Sequence, residues 1–292
     1  MPEICDYEGS RYREEFWTPE RRFEHLVDVV ALRTLLPPQG EVLIDVGAGF
    51  GRLAPLYAGY RRVVLFDYAV SLLQEARGQW GDDPRFLFVA GDVYRLPLAS
   101  RTCDVAVMVR VLHHLADVST ALHHLARVLR GHGILVLEFA NKRHLKAILR
   151  YLLRRQQWSP FSHEPYPFVP LNYDFHPVWV KHRLQEAGFQ VGHVRAVSYF
   201  RIPWLKRRVP PHLLARLDAL LHRVGGRYPL SPSVFVQAQL VRNTQGPSHP
   251  LAFRCPQCGY EPLPVVPHDV HCPHCHACWP YREGIYHFKP SA

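Results

Sequence analysis

The stretch Val42-Leu-Ile-Asp45-Val-Gly47-Ala-Gly49-Phe-Gly51-Arg-Leu53 joins a short apolar run to three glycines at alternate positions. The apolar run predicts a buried β-strand, and the glycines predict a tight loop whose backbone can approach a ligand closely. Because the loop opens onto a helix N-terminus, it favours a ligand with an anionic or polar group. Asp45 would be a poor neighbour for a pyrophosphate, and it suits a ligand that bears an ammonium group.

Strands and helices alternate on both sides of this loop. The pattern predicts strands at 42–46, 62–67, 86–91, 104–109, 133–139, 189–199 and 234–241, and helices at 18–36, 51–59, 70–80, 118–130, 142–156, 177–187 and 212–224. This order is typical of a parallel sheet covered by helices on both faces. Residues 157–173 are rich in proline and aromatic residues, and a connection of that length is usually functional, often a lid. The predicted fold class is α/β, with a Rossmann-like, doubly wound, mostly parallel sheet.

Two further carboxylates stand at the ends of predicted strands. Asp67 ends the second strand, where its carboxylate can accept both hydroxyls of a ribose, and Asp92 ends the third, where it can accept an adenine amino group. Together with Asp45 they place acids at the ends of three successive strands after a glycine loop. The pattern predicts a nucleoside site.

Residues 40–145 resemble the class I methyltransferases that bind S-adenosylmethionine (SAM), in particular the type 11-like group with a Leu112-His-His-Leu115 segment after the fourth strand. The resemblance implies a seven-stranded fold and methyl transfer from SAM. It also implies that Asp67 holds the ribose, that Asp92 with Val93 holds the adenine, and that Arg110 borders the methyl group. The full implied set is Asp45, Gly47, Ala48, Gly49, Gly51, Asp67, Tyr68, Asp92, Val93 and Arg110.

The catalytic residues are less well defined by the sequence. Candidate bases are His113, His114 and His176, although packing or helix capping explains each of them as well. The segment after strand four reads Arg110-Val-Leu-His, which lacks the Asn-Pro-Pro-Tyr type of motif that clamps an exocyclic amine. No Pro-Cys pair follows that strand, so cysteine attack on cytosine is not expected.

Three functions remain open at this level. A small hydrophobic or aromatic metabolite is the favoured methyl acceptor, RNA is the second candidate, and a non-catalytic adapter with a degenerate SAM pocket is the third. Lys and Arg total 35 against 25 Asp and Glu, a net charge of +10, which favours anionic partners. Basic residues in 142–155 alternate with leucines and could face RNA or an anionic lipid surface, or form a solvated face.

The C-terminal segment carries five of the seven cysteines. Cys255-Pro-Gln-Cys258 and Cys272-Pro-His-Cys275 predict two knuckles that close a structural zinc site, with Cys278, His271, His274 and His276 as nearby alternative ligands. The segment resembles small zinc ribbons that act as partners of certain RNA and protein methyltransferases. Such a ribbon could grip RNA, brace the methyltransferase sheet or recruit another protein.

These patterns divide the chain into a helical segment (1–40), a SAM-dependent methyltransferase domain (41–242), a linker (243–250) and a zinc ribbon (251–292). No apolar run approaches the roughly 20 residues that a bilayer span needs. The first residues have neither a basic stretch nor an apolar core, so we expect no signal peptide. A cytoplasmic protein is the resulting expectation.

Overall fold

The structure is a computed structural model that describes residues 2–241 and 250–289. Its helices are α1 (Tyr12–Phe16), α2 (Arg22–Leu35), α3 (Val70–Trp80), α4 (Val118–Val128), α5 (Leu145–Leu152), α6 (Pro177–Glu186), α7 (Pro203–Arg208) and α8 (Pro211–Arg227). Its strands are β1 (Gly40–Val46), β2 (Tyr60–Asp67), β3 (Phe86–Ala90), β4 (Cys103–Met108), β5 (Leu129–Ala140), β6 (Tyr166–Val169), β7 (Asn172–Asp174), β8 (Phe189–Val197), β9 (Ser233–Leu240), β10 (Val270–His271), β11 (Cys278–Trp279), β12 (Tyr281–Arg282) and β13 (Ile285–His287). Among the helices of these ranges, none is long and apolar enough to cross a membrane.

One sheet organises the molecule. Its strand order is β12-β13-β3-β2-β1-β4-β5-β9-β8, and the pairs from β13 to β5 are parallel. The last two strands, β9 and β8, run antiparallel to their neighbours. The predicted doubly wound, mostly parallel α/β fold is confirmed.

The core lies in two layers, one on each face of the sheet. Successive residues of β1 alternate between them, because Leu43 packs with the layer under α2 and Ile44 packs with the layer under α4. Both side chains are fully buried. This two-sided burial explains why the central strands read as continuous apolar runs in the sequence.

Two predicted helices differ from the structure. The predicted helix at 51–59 is wrong, since only a short 3-10 turn, Ala54–Tyr57, forms there. Gly51 has a φ of +74°, which no right-handed helix allows at its first residue. The helix predicted at 142–156 is shorter in the structure, where it spans Leu145–Leu152. The predicted connection at 157–173 contains most of a hairpin that β6 forms with β7.

The C-terminal module is part of the main sheet. Its strand β13 pairs in parallel with β3, so the predicted seven strands become nine. Phe253 and Phe288 are buried in the same core layer as the strands of the larger domain. The predicted linker, 243–250, lies outside the described residues except for Pro250.

Candidate functional site

The glycine loop follows β1 and is held tightly against the second strand. The amide groups of Gly47 and Ala48 both donate to the carbonyl oxygen of Phe66, at 2.8 and 3.0 Å. Gly47 has a φ of +74°, and a Cβ there would lie 2.1 Å from Cγ2 of Val111. The positive φ and the close approach of Val111 both exclude a side chain at this position, so the backbone of the loop is left accessible to a ligand.

Asp67 stands at the end of β2 and fixes the same loop. Its Oδ2 accepts from the amide of Gly49 at 2.7 Å, and its Oδ1 accepts from the amide of Ala69 at 2.9 Å. Burial raises the pKa of Asp67, and these amide donors oppose the shift by stabilising the carboxylate. Each oxygen keeps a second lone pair for a ligand hydroxyl.

A cavity that is open to solvent lies between the glycine loop and Asp67. The structure brings six of the predicted cofactor-binding residues together on its walls: Gly47, Gly49, Asp67, Tyr68, Val93 and Arg110. The cavity lies where β1, β2 and β4 end, which is the usual place for a ligand in an open α/β sheet.

The N-terminal segment forms another wall of this cavity. Ile4, Cys5, Tyr7 and Tyr12 all line it. Ile4 bridges to Leu115, and the carboxylate of Glu8 accepts from the amides of Val70 and Ser71 at the start of α3. The sequence indicated this aromatic segment only as a source of specificity, so its contribution to the cofactor cavity was missed.

Four of the predicted residues lie elsewhere. Asp45 and Ala48 line a separate, smaller cavity that shares Gly47 and Gly49 with the first. Asp92 lines the cleft against the C-terminal module, where its Oδ1 accepts from the amide of Tyr94 and its buried Oδ2 has no partner within residues 2–241 and 250–289. Gly51 makes room for Trp80, which a Cβ would approach to 2.9 Å.

A second cavity, also open to solvent, adjoins the first. Tyr7, Tyr12, Arg110 and His114 line both. The remaining walls of the second cavity are aromatic, basic, acidic and imidazole side chains together with small residues: Phe16, Arg21, His113, Glu138, Ala140, Asn141, His144, Phe168, Asn172, Asp174, Arg201, Pro232 and Ser233.

Arg110 is held rigidly where the two cavities meet. Its guanidinium donates to both carboxylate oxygens of Asp28, at 2.9 and 3.1 Å, and its own amide donates to Glu138 at 2.8 Å. Burial alone would lower the pKa of Arg110, but the adjacent Asp28 and Glu138 raise it. Arg110 is therefore a fixed cation, and its bidentate pairing with Asp28 was not predicted from the sequence.

The three candidate histidines occupy different environments. His114 lines both cavities, with Nδ1 2.9 Å from the carbonyl oxygen of Leu171 and Nε2 3.1 Å from the hydroxyl of Tyr7. His113 lines the second cavity, and burial lowers its pKa well below the usual value. His176 lies at the start of α6, where its Nδ1 accepts from the amide of Val178. That contact is a helix cap, and His176 lines neither cavity.

Four cysteines of the C-terminal module converge. The sulfur atoms of Cys255, Cys258, Cys272 and Cys275 all lie within 4.8 Å of one another, a geometry suited to one tetrahedral metal ion. The two knuckles have the same backbone geometry. The amide of Gly259 donates to the carbonyl oxygen of Cys255, and the amide of His276 donates to the carbonyl oxygen of Cys272. Both donor residues have positive φ. His276 thus takes the place of the glycine without joining the ligand set.

Comparison with solved structures shows which fold class this chain has. The structure of a SAM-dependent methyltransferase from Thermotoga maritima superposes with a TM-score of 0.55 at 20% identity, covering 79% of this chain and 97% of that one. A Haloferax volcanii complex of the Trm112 methyltransferase activator and a putative methyltransferase gives 0.53 at 17% identity, covering 76% and 91%. The fold is that of a class I methyltransferase.

Comparison of sequences finds methyltransferases that are similar to part of this chain. Residues 44–137 match a family model that is described as a methyltransferase domain. The ubiquinone/menaquinone biosynthesis C-methyltransferase UbiE of Caulobacter vibrioides is 32% identical over 126 residues, which are 39% of this chain and 49% of that protein. The chain spans about half or less of the length of the first curated relatives that it matches.

Proposed function

We propose that the protein transfers a methyl group from SAM to a small molecule bound in the second cavity. The observation that carries this proposal is the pair of adjoining cavities, one built around the glycine loop and Asp67, the other lined by rings and ionisable groups. Because the two cavities share four residues, a cofactor in the first and an acceptor in the second would lie side by side. Methyl transfer requires this juxtaposition, since the acceptor atom must lie in line with the departing sulfur.

The residues of the first cavity fit a sulfonium nucleoside. Gly47 and Gly49 expose backbone to the methionine portion, and the free lone pairs of Asp67 suit two ribose hydroxyls. Asp92 lies outside this cavity, next to Val93 on its wall, and its unpartnered Oδ2 would have to turn away from the cleft against the C-terminal module to accept an adenine amino group. When bound, SAM would supply an electrophilic methyl group, and the chain itself would supply position and shielding from water.

Asp45 gives the site a dependence on pH. Burial raises the pKa of Asp45 to about 7, although the hydroxyl of Tyr57 donates to its carboxylate at 2.8 Å. We assign this carboxylate to the cofactor's ammonium group, because it lies beside the glycine loop. Below pH 7 the carboxyl becomes protonated and loses its attraction for a cation.

We therefore expect the affinity for S-adenosylhomocysteine to fall as the pH drops through about 7 and to level off above it. A charge-assisted contact of this kind is worth about 2 kcal/mol, so the loss approaches thirtyfold. Calorimetry across the pH range measures it, and Asp45→Asn should bind weakly with a flat profile. A wild-type profile equally flat would remove Asp45 from the ammonium site.

The shape of the second cavity supports a small acceptor. Phe16, Phe168 and Tyr12 offer rings against which a planar or apolar molecule can pack. Similarity to UbiE, named for ubiquinone/menaquinone biosynthesis, supports the same class. Against an adapter role stands the preserved set of cavity residues, since a protein that no longer bound SAM would have no reason to keep the glycine loop open.

The second cavity also offers proton acceptors for a hydroxyl or acidic carbon. Burial raises the pKa of Asp174 and of Glu138, which makes both carboxylates stronger bases, while nearby arginines oppose the shift. Burial lowers the pKa of His114, so its imidazole is neutral near pH 7. Any of these groups could receive a proton as the methyl group moves, whereas His176 is expected only to cap α6.

Methyl transfer from tritiated SAM into cell extract tests the proposal. After separation into RNA, protein and small-molecule fractions, we expect the label in the small molecules, with the Asp67→Ala variant as the inactive control. Label in RNA would replace the small acceptor by the second candidate function. Failure of the folded protein to bind SAM would favour the adapter. A cytoplasmic location stays a prediction from the sequence.

A further inference from the structure

Helix α5 carries its leucines on the outside. Leu145, Leu149, Leu152 and Leu153 are spaced so that they form one stripe along the helix, and all four are exposed, Leu152 to 66%. The inner face of the helix is Ala147, which is fully buried. A stripe of large apolar side chains in water is unfavourable, and a partner that covered these leucines would gain the free energy of burying their exposed surface.

Helix α8 repeats the arrangement. Leu213, Leu217, Leu220, Leu221 and Val224 are exposed on one side, whereas the opposite side buries Leu214, Ala215, Asp218 and His222. The two stripes together hold nine of the eighteen large apolar side chains that are exposed within the described ranges. Such clustering marks an interaction surface, because isolated exposed residues would be scattered.

The start of α5 contacts the segment that follows α8. The amide of Leu145 at the start of α5 donates to the carbonyl oxygen of Leu230, just beyond the end of α8, at 2.8 Å. The side-chain amide of Asn141 donates to Pro229 at 2.9 Å. Exposed Tyr228 lies between the end of α8 and these contacts. We call the α5 stripe, the α8 stripe and Tyr228 the leucine surface.

Basic residues flank the leucine surface. Lys146 and Arg150 follow Leu145 and Leu149 by one position and so lie along one edge of the α5 stripe, and both are exposed. Arg143, Arg154 and Arg155 stand at the two ends of that helix. No acid occurs between 142 and 156, and the single acid between 203 and 227 is the buried Asp218.

We propose that the leucine surface docks on an anionic lipid membrane. Leucines that enter the acyl region, with lysines and arginines reaching the headgroups, are the arrangement of an interfacial helix. A second copy of the chain would bring two basic rims together and repel. RNA would satisfy the charges but would leave the leucines uncovered, since single-stranded nucleic acid is held by aromatic stacking.

The surface also connects to the second cavity. His144 caps the first turn of α5, and its side chain lines the second cavity. The exposed Phe168 lines the same cavity. Docking through α5 would bring the wall of that cavity to the lipid interface. This last step rests on the proposed function and assigns the acceptor to the lipid-soluble class, whereas membrane binding itself does not depend on methyl transfer.

Vesicle co-sedimentation of the full, zinc-loaded chain tests the docking. We expect binding to vesicles of phosphatidylcholine and phosphatidylglycerol in equal amounts, weak binding to phosphatidylcholine alone, and loss of binding as salt rises. The double variant Leu149→Asp/Leu152→Asp should bind at least a hundredfold more weakly. Lys146→Gln/Arg150→Gln should bind about thirtyfold more weakly, since each basic residue contributes about 1 kcal/mol.

Val241→Asp is the matched control, because the side chains of Val241 and Leu149 are equally exposed, both at 50%. Val241 comes directly after β9, at the end of that strand that is far from the two cavities. It should bind vesicles like the unaltered chain. All variants should keep their affinity for S-adenosylhomocysteine and their melting temperature, which separates failure of docking from failure of the proposed function. Three outcomes overturn the proposal: no binding to the mixed vesicles, normal binding by Leu149→Asp/Leu152→Asp, or a dimer that this variant dissociates.

Discussion

Asp67→Ala is expected to lower the affinity for S-adenosylhomocysteine by a hundredfold or more. Two ribose hydroxyls donating to one carboxylate contribute about 1.5–3 kcal/mol each, and every 1.4 kcal/mol is a factor of ten. The substitution also removes the acceptor for the amides of Gly49 and Ala69. The glycine loop would then lose the contact that fixes its position, so the methionine portion should be bound less well too.

Titration calorimetry measures this loss, and thermal unfolding establishes that the variant is folded. Asp82→Ala makes the same substitution at an exposed position just beyond α3, and it should leave the affinity unchanged. Asp67→Asn should fall between the two, because it keeps one oxygen acceptor but no charge. Normal affinity in a folded Asp67→Ala protein would show that the ribose is held elsewhere, and the proposed cofactor site would have to be abandoned.

The sequence was enough to group Gly47, Gly49 and Asp67 at one edge of the sheet, because this part of the candidate site is local. Gly47, Gly49 and Asp67 stand within or at the end of two neighbouring strands whose apolar runs are unmistakable. Parallel pairing of β1 with β2 then brings their ends together without further information. The error at 51–59 came from treating the third glycine as the start of a helix, when its positive φ continues the loop.

What the sequence could not show depends on contacts between distant segments. Arg110 meets Asp28 across 82 positions, and Tyr7 meets His114 across 107. Neither pair has a spacing that a periodic pattern would reveal. Asp92 lies two residues beyond the end of β3, and its carboxylate faces a cleft whose other wall is the C-terminal module. That cleft exists only because the module joins the sheet.

The attachment of the module to β3 favours a bracing role among the three that the sequence left open. Beyond the strand pairing, the amide of Ala99 donates to Ala252 at 2.9 Å and the amide of Phe288 donates to Ala90 at 2.7 Å. Glu261 accepts from the hydroxyl of Ser100 and pairs with Arg127 at 3.6 Å. Without the module, β3 would be an exposed edge strand with its apolar neighbours uncovered.

Cys258→Ser is accordingly expected to destabilise the whole protein. A module of this size has too small a core to fold without its metal, and structural zinc contributes about 10 kcal/mol or more to such modules. We expect zinc to fall from about one per chain to almost none, with a loss of about 4 kcal/mol of stability, or roughly 10 °C in melting temperature. Metal analysis and thermal unfolding measure the two effects.

Cys278→Ser is the matched control, because Cys278 is an exposed cysteine of the same module that lies outside the cluster of four. It should keep both the metal and the melting temperature. Since Asp92 and Gly91 directly follow β3, Cys258→Ser should also weaken the binding of S-adenosylhomocysteine, while Cys278→Ser should not. A Cys258→Ser protein that kept its zinc would contradict the zinc site. A metal-free Cys258→Ser protein that melts like the unaltered chain would contradict the bracing role, because the sheet would then hold its edge strand without the metal-bound module.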